Sequence, residues 1–280
     1  TDASNQPIFS DDGQIVVVQN GEIYNYIELR EELKALGHSF YTLGDTEVLL
    51  RGFEEWGPGF VTRLNGMFAI AIYDRGNETM WLYRDRLGVK PLYYYRSPET
   101  DRLWFASEIK ALIAADIPVK PNLDALSQFL ALNYIPQPVT AFEGVFHLPP
   151  AHMAKITPQG MQLSQYWELA DIQSEIGLTE AEAKQGLLEL LDDATMLRMR
   201  ADAKFGAFLS GGLDSSSVVG LMAAHQEEPI RTFSIGFDDV RFDETYFAEL
   251  AAARFGAKHT SKTMKADTTG LWPRYIWHVD

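Results

Sequence analysis

The sequence contains no cysteine, which excludes disulfides, thiolate metal ligands and a cysteine nucleophile anywhere in its 280 residues. Long apolar runs are also missing. The longest, Met67-Phe68-Ala69-Ile70-Ala71-Ile72, falls far short of the roughly 20 residues a membrane-spanning helix needs. The opening Thr1-Asp2-Ala3-Ser4-Asn5-Gln6-Pro7 has neither a basic nor an apolar stretch, so no signal peptide is expected there. It also lacks an initiator methionine, and an upstream start is expected. Positive charge is scarce: 24 Lys and Arg stand against 39 Asp and Glu, a net charge of −15. Phosphate backbones need clustered positive charge, so nucleic acid is not an expected partner. Histidines number six. His147 and His152, on either side of Leu148-Pro149-Pro150, lack the cysteines or carboxylate cluster of a metal site, and the histidines are read as surface or packing residues.

What remains is a globular composition, 46% hydrophobic and 22% charged, enough for one large domain or two ordinary ones. The first half reads as β-rich with short helices. Ile15 to Gln19 is a β-branched run ending at Asn20-Gly21, a strong hairpin signal. Asn25, with Glu28 three residues on, reads as the N-cap of a helix that Gly37 stops. Tyr26, Leu29, Leu33 and Leu36 share one face of it. Asp45 or Thr46 caps a second helix to about Trp56. Strands are expected at 67–73, 79–83, 92–95 and 103–106. Pro136, Pro138, Pro149, Pro150 and Pro158 mark an irregular stretch ending near Tyr166-Trp167.

After a linker placed at 168–178 the texture changes. Thr179-x-x-Glu182 is a capping-box signature opening a long helix to about Arg200. Strand 205–209, helix 215–224, strand 231–237, helix 244–255 and strand 258–264 then alternate, which implies βαβ units and a parallel sheet.

The sharpest signal is Ser210-Gly211-Gly212-Leu213-Asp214-Ser215-Ser216, placed after a strand and opening a helix. Helix N-terminal N–H groups bind anions, and glycines let a phosphate approach the main chain. Asp214 would repel bare phosphate but suits a Mg²⁺ ion held against it. No Gly-Lys-Ser/Thr follows, so this is not a Walker A loop. A plain strand-turn-helix corner is the bland alternative. The loop resembles the pyrophosphate-binding loop of enzymes that split ATP between its α- and β-phosphates.

In the first half, Asn20-Gly21-Glu22-Ile23-Tyr24-Asn25 resembles the glutamine-site motif of class II (N-terminal nucleophile) amidotransferases. Leu64-Asn65-Gly66-Met67-Phe68-Ala69, Arg84 to Tyr94 and Phe105 to Leu112 are similar to other signatures of that fold. Together with the phosphate loop they resemble glutamine-hydrolysing asparagine synthetases over nearly the whole chain.

That resemblance implies an α+β glutaminase domain of stacked, mainly antiparallel sheets over 1–167. An incomplete α/β parallel-sheet domain of the pyrophosphate-loop type would follow over 179–280. It implies that the Asn20 amide and the Gly21 N–H form an oxyanion hole, and that Glu22 and Asp45 hold the α-amino group of glutamine. ATP would be held by Leu209, Ser210, Gly211, Gly212, Leu213, Asp214, Ser215, Ser216 and Ile235, with Mg²⁺ on Asp214 through the phosphates. Arg84, Asp85, Arg86 and Lys90 read as a partly buried structural charge network. The implied reaction is amidation of aspartate through β-aspartyl-AMP, in the cytoplasm, with small-molecule substrates and no membrane partner; a homodimer is left open. Two competitors share parts of this reading: an amidotransferase for another carboxylate (a sugar acid, or a β-lactam synthetase substrate) and a catalytically dead binding module. The family's nucleophilic cysteine, its carboxylate-binding arginine and its later synthetase segments have no counterpart here, so truncation at both ends is expected.

Overall fold

The computed structural model describes residues 5–174, 176–201, 203–239, 241, 243–264 and 269–279. They fall into two compact units, one ending at Gln173 and the other spanning Ser174–Val279.

The first unit runs β1 (Ile8–Phe9), β2 (Ile15–Ile23), α1 (Tyr26–Ala35), α2 (Thr46–Trp56), β3 (Gly66–Asp74), β4 (Thr79–Arg84), β5 (Tyr93–Arg96) and β6 (Leu103–Ala106). It continues with α3 (Ile109–Ala114), α4 (Leu123–Leu132), β7 (Val145–His147), β8 (His152–Thr157) and β9 (Gly160–Gln165). One antiparallel sheet has the order β1-β2-β3-β4-β8-β9, and a second has β6-β5-β7. Strand alternation decides how they stack. From β3, Phe68, Ile70 and Ile72 pack with Leu29 and Leu33 of α1 and Val48 and Leu49 of α2. The intervening Ala69 and Ala71 face the other way, onto Leu92, Tyr94, Phe105 and Leu148 around the second sheet. On β5, Tyr94 joins that inter-sheet core, while Tyr95 packs with Ile109 and Leu112 of α3. The result is four layers: helices, sheet, sheet, helix.

Two expectations need correction. Asn20-Gly21 is not a turn. Strand β2 runs straight through it, paired with β3 from Ile15↔Asp74 to Ile23↔Gly66. The long partner strand overrides the local dipeptide preference. The stretch around the prolines is not irregular either, since β7, β8 and β9 lie in it. Pro149 and Pro150 fall between strands and Pro158 in the β8–β9 hairpin, so they punctuate connections without removing ladder donors. In addition, Asn25 occupies the N-cap position of α1 but makes no capping bond; its side chain accepts from Asn65 N–H and donates to the Arg63 carbonyl.

The second unit contains α5 (Glu180–Arg198), β10 (Ala207–Phe208), α6 (Leu213–Ala224), β11 (Arg231–Phe237), α7 (Thr245–Arg254), β12 (Lys258–Met264) and α8 (Trp272–Val279). The capping box at Thr179 and Glu182 is formed in both directions. Strands β10, β11 and β12 are parallel and adjacent in that order. Leu209, Val219, Ala248 and Ala252 form the core between α6, α7 and one face of the sheet. From the other face Phe208, Phe233, Ile235 and Phe237 stand exposed. The expected architecture, stacked antiparallel sheets followed by a parallel α/β sheet, is the one observed. No described helix is long and apolar enough to cross a membrane.

Candidate active sites

In the first unit, Asn20, Gly21 and Glu22 lie consecutively near the end of β2. Gly21 has φ +154°, and a Cβ there would run into the Met67 carbonyl on β3, so only glycine allows the strands to close. The Asn20 amide nitrogen donates to Ser107 Oγ at 3.0 Å, just past β6. Beside this bond lies a cavity of about 230 Å³, with Asn20, Ala69, Ala71, Leu92, Phe105 and Ser107 in its wall. Ala69, Ala71 and Ala106 in its lining are small enough to leave it open.

Asp45 precedes α2 yet gives its helix no capping bond. Its Oδ2 accepts instead from Gln19 Nε2 and from the Ile23 N–H, both at 2.9 Å, on either side of Asn20-Gly21-Glu22. The reading of Asp45 as a helix cap is therefore corrected: position makes it an N-cap, but the neighbouring strand takes its carboxylate. Burial raises the Glu22 carboxyl above its ordinary range, the Asp45 charge adds to the rise, and Lys90 opposes it. Two carboxylates sharing one region with a single lysine form a place where an ammonium group would relieve repulsion.

The frame around these residues is built from charges bonded to main chain. Asp85 is 1% exposed and accepts from the N–H groups of Phe68, Leu87, Val89 and Lys90. Arg84 is as deeply buried and donates to the carbonyls of Gly88, Lys90 and Leu148 and to Gln137 Oε1. Arg86 donates to the carbonyls of Thr62 and Leu64. These side chains fix the loop that presents Lys90, as the structural reading of the segment expects.

In the second unit the loop 210–212 connects β10 to α6 at the carboxyl end of the parallel sheet, where open α/β sheets place their ligands. Ser210 and Ser215 hydroxyls are 3.0 Å apart, and Ser210 Oγ also accepts from the Gly212 N–H. Gly211 has φ +80°, and a Cβ on it would enter the backbone of Phe247 and Ala248 on α7. The glycine thus lets the loop lie flat on the neighbouring helix. Ser210, Ser215, Ser234, Ile235 and Glu244 line a cavity of about 260 Å³ together with Leu209. Leu209 is 1% exposed and belongs to the core, whereas Ile235 is exposed at the cavity. Gly211, Gly212, Leu213, Asp214 and Ser216 adjoin the cavity without lining it. Asp214 sits in the first turn of α6, exposed, and Ser216 Oγ is buried without a hydrogen-bond partner.

A family profile for the glutamine amidotransferase domain matches residues 1–167, and one for asparagine synthase matches 186–280. Asparagine synthetase [glutamine-hydrolyzing] 1 of Bacillus subtilis is 34% identical over 98% of this chain and 43% of its own length. Putative asparagine synthetase [glutamine-hydrolyzing] 2 of Methanocaldococcus jannaschii is 37% identical over 96% of this chain and 52% of its own. The chain belongs to the glutamine-hydrolysing asparagine synthetase family. It spans about half the length of these curated relatives. Among solved structures, the allosteric regulatory enzyme of purine biosynthesis aligns with 93% of this chain and 63% of its own, at 16% identity and a TM-score of 0.43.

For this asparagine synthetase family member, the structure gathers Asn20, Gly21, Glu22 and Asp45 in the first unit and Leu209, Ser210, Ser215 and Ile235 around one cavity in the second. Sequence reasoning missed Ser107 and Ser234 as site residues, and Gln19 and Ile23 as the partners of Asp45. Ser107 lies far along the chain from Asn20, and only the stacking of two sheets brings them into contact.

Proposed function

We propose that this chain supplies the glutamine site and the ATP site of a glutamine-dependent asparagine synthetase, acting in the cytoplasm. Glutamine is bound in the segment 1–167, and ammonia released from it amidates an aspartate activated as β-aspartyl-AMP in the segment 179–280, with 168–178 as the linker. The observation that carries this reading is the serine- and glycine-lined loop between β10 and α6, open to a cavity at the carboxyl end of a parallel sheet. It has hydroxyl and N–H donors for a leaving pyrophosphate but no Walker lysine for γ-phosphate transfer.

In the glutaminase half the Asn20 amide and the Gly21 N–H stabilise the oxyanion, and Glu22 with Asp45 binds the α-ammonium. Because the chain has no cysteine, it does not hydrolyse glutamine by itself. In the synthetase half the exposed carboxylate of Asp214 fits a Mg²⁺ ion that takes most of its ligands from phosphates and water. Bound there, Mg²⁺ would neutralise charge on the phosphates. Ser210 and Ser215 orient the phosphates, while Leu209 and Ile235 flank the adenine.

The test is made on the longest product of the gene. Ammonia, ATP, Mg²⁺ and aspartate should give AMP, pyrophosphate and asparagine in equal amounts. Asp214→Ala should suppress synthesis with either nitrogen donor. Asn20→Ala should slow the glutamine-driven reaction by about 10²–10³ and spare the ammonia-driven one. ADP in place of AMP would overturn the mechanism. AMP formation with a sugar acid but not aspartate would move the protein to a different acceptor, and ATP binding without cleavage would make it a binding module.

A further inference from the structure

His259 on β12 stands directly opposite Thr232 on β11. Its ring bridges two hydroxyls of that strand: Nδ1 lies 2.9 Å from Thr232 Oγ1, and Nε2 lies 3.0 Å from Ser234 Oγ. Thr232 is fully buried, whereas Ser234 forms part of the cavity wall beside Ser210, Ser215 and Ile235. A neutral imidazole has one N–H and one lone pair, so one hydroxyl accepts from the ring and the other donates to it. Either tautomer leaves Ser234 with one capacity committed to His259 and the other free.

We propose that His259 is a positioning residue of the nucleotide cavity: anchored through Nδ1 on buried Thr232, it fixes through Nε2 the rotamer of Ser234, whose hydroxyl bonds the bound nucleotide. This rests on the reading of the cavity as an ATP site. A serine hydroxyl on an open sheet end has three staggered orientations. One hydrogen bond from a ring held by the next strand selects one of them before the ligand arrives. The benefit is preorganisation, the same ordering that would otherwise be done at binding.

The two nitrogens make the idea separable by substitution. Asn places its polar atoms near the Nδ1 position, and Gln extends further, towards the Nε2 position. Binding of MgATP to the chain is measured by calorimetry for the wild type, H259N, H259Q, S234A and the S234A/H259N pair. H259Q should stay within about twofold of wild type, while H259N should weaken binding about 3- to 10-fold, the worth of one hydrogen bond. S234A should weaken it by at least as much, and H259N should add nothing in the S234A background. Additive losses, or equal losses for Asn and Gln, would show that His259 acts on the fold and not through Ser234, and would overturn the proposal. A wild type that binds while H259N binds equally well would also overturn it and leave the ATP reading intact. A wild type that binds no nucleotide would remove the reading beneath it.

Discussion

His147 lies on the second sheet with its ring against Tyr93, centroids 4.5 Å apart, and its Nδ1 is buried without a hydrogen-bond partner. Burial first, and then the charge of Arg84, pushes its pKa down to about 4. The folded chain therefore holds a neutral imidazole where the unfolded chain takes up a proton near pH 6.5. Stability from this site is present above pH 6.5, falls as acid is added and has reached its lower level below about pH 4. His147→Phe keeps an aromatic ring on Tyr93 and removes the titration. Its melting temperature should decline less than that of the wild type between pH 6.5 and pH 4. Parallel curves across that window would mean that His147 titrates alike in both states. Composition could identify His147 as a packing residue, but not its low pKa, because both the burial and, second to it, the charge of Arg84 come from elements distant in the chain.

The elements show where local sequence suffices and where it does not. Helix α5 was legible because its start is a local chemical pattern: the Thr179 and Glu182 side chains each accept from the other's main-chain N–H whatever else is nearby. Thr179→Ala should lower the protection of the first-turn amides of α5 against hydrogen exchange, by about 1 kcal/mol. Unchanged protection there would show that packing, not the cap, holds the helix end. Strands β11 and β12 were likewise read with their observed bounds, 231–237 and 258–264, from runs bordered by helices. Asn20-Gly21 and Asp45 were not legible locally, since both look like punctuation. Their actual geometry comes from β3 pairing along the whole of β2 and from two donors on that strand. The family motif supplied what periodicity could not. His259 was dismissed for the same reason in reverse: its partners depend on the β11–β12 register, which no run of residues states.

Across the whole molecule the two candidate sites lie in different compact units. Glutamine should slow amide exchange around β2 and Asp45, and MgATP around loop 210–212 and β11. Protection by MgATP confined to the glutamine site would exchange the roles assigned to the two halves. The order of strands has a further consequence, for synthesis. In the second unit β10, β11 and β12 pair in the order in which they are made. In the first, β4 pairs on one side with β3, but its other neighbour is β8, and the whole of 85–151 must be made in between. At about 5–20 residues per second this takes several seconds on the ribosome. Throughout that interval the Thr79–Arg84 edge presents open main-chain groups and the side chains of Met80, Trp81, Leu82 and Tyr83. An open apolar edge of that kind recruits other strands. The nascent chain is thus most vulnerable to mispairing after β4 emerges and before residue 157 does.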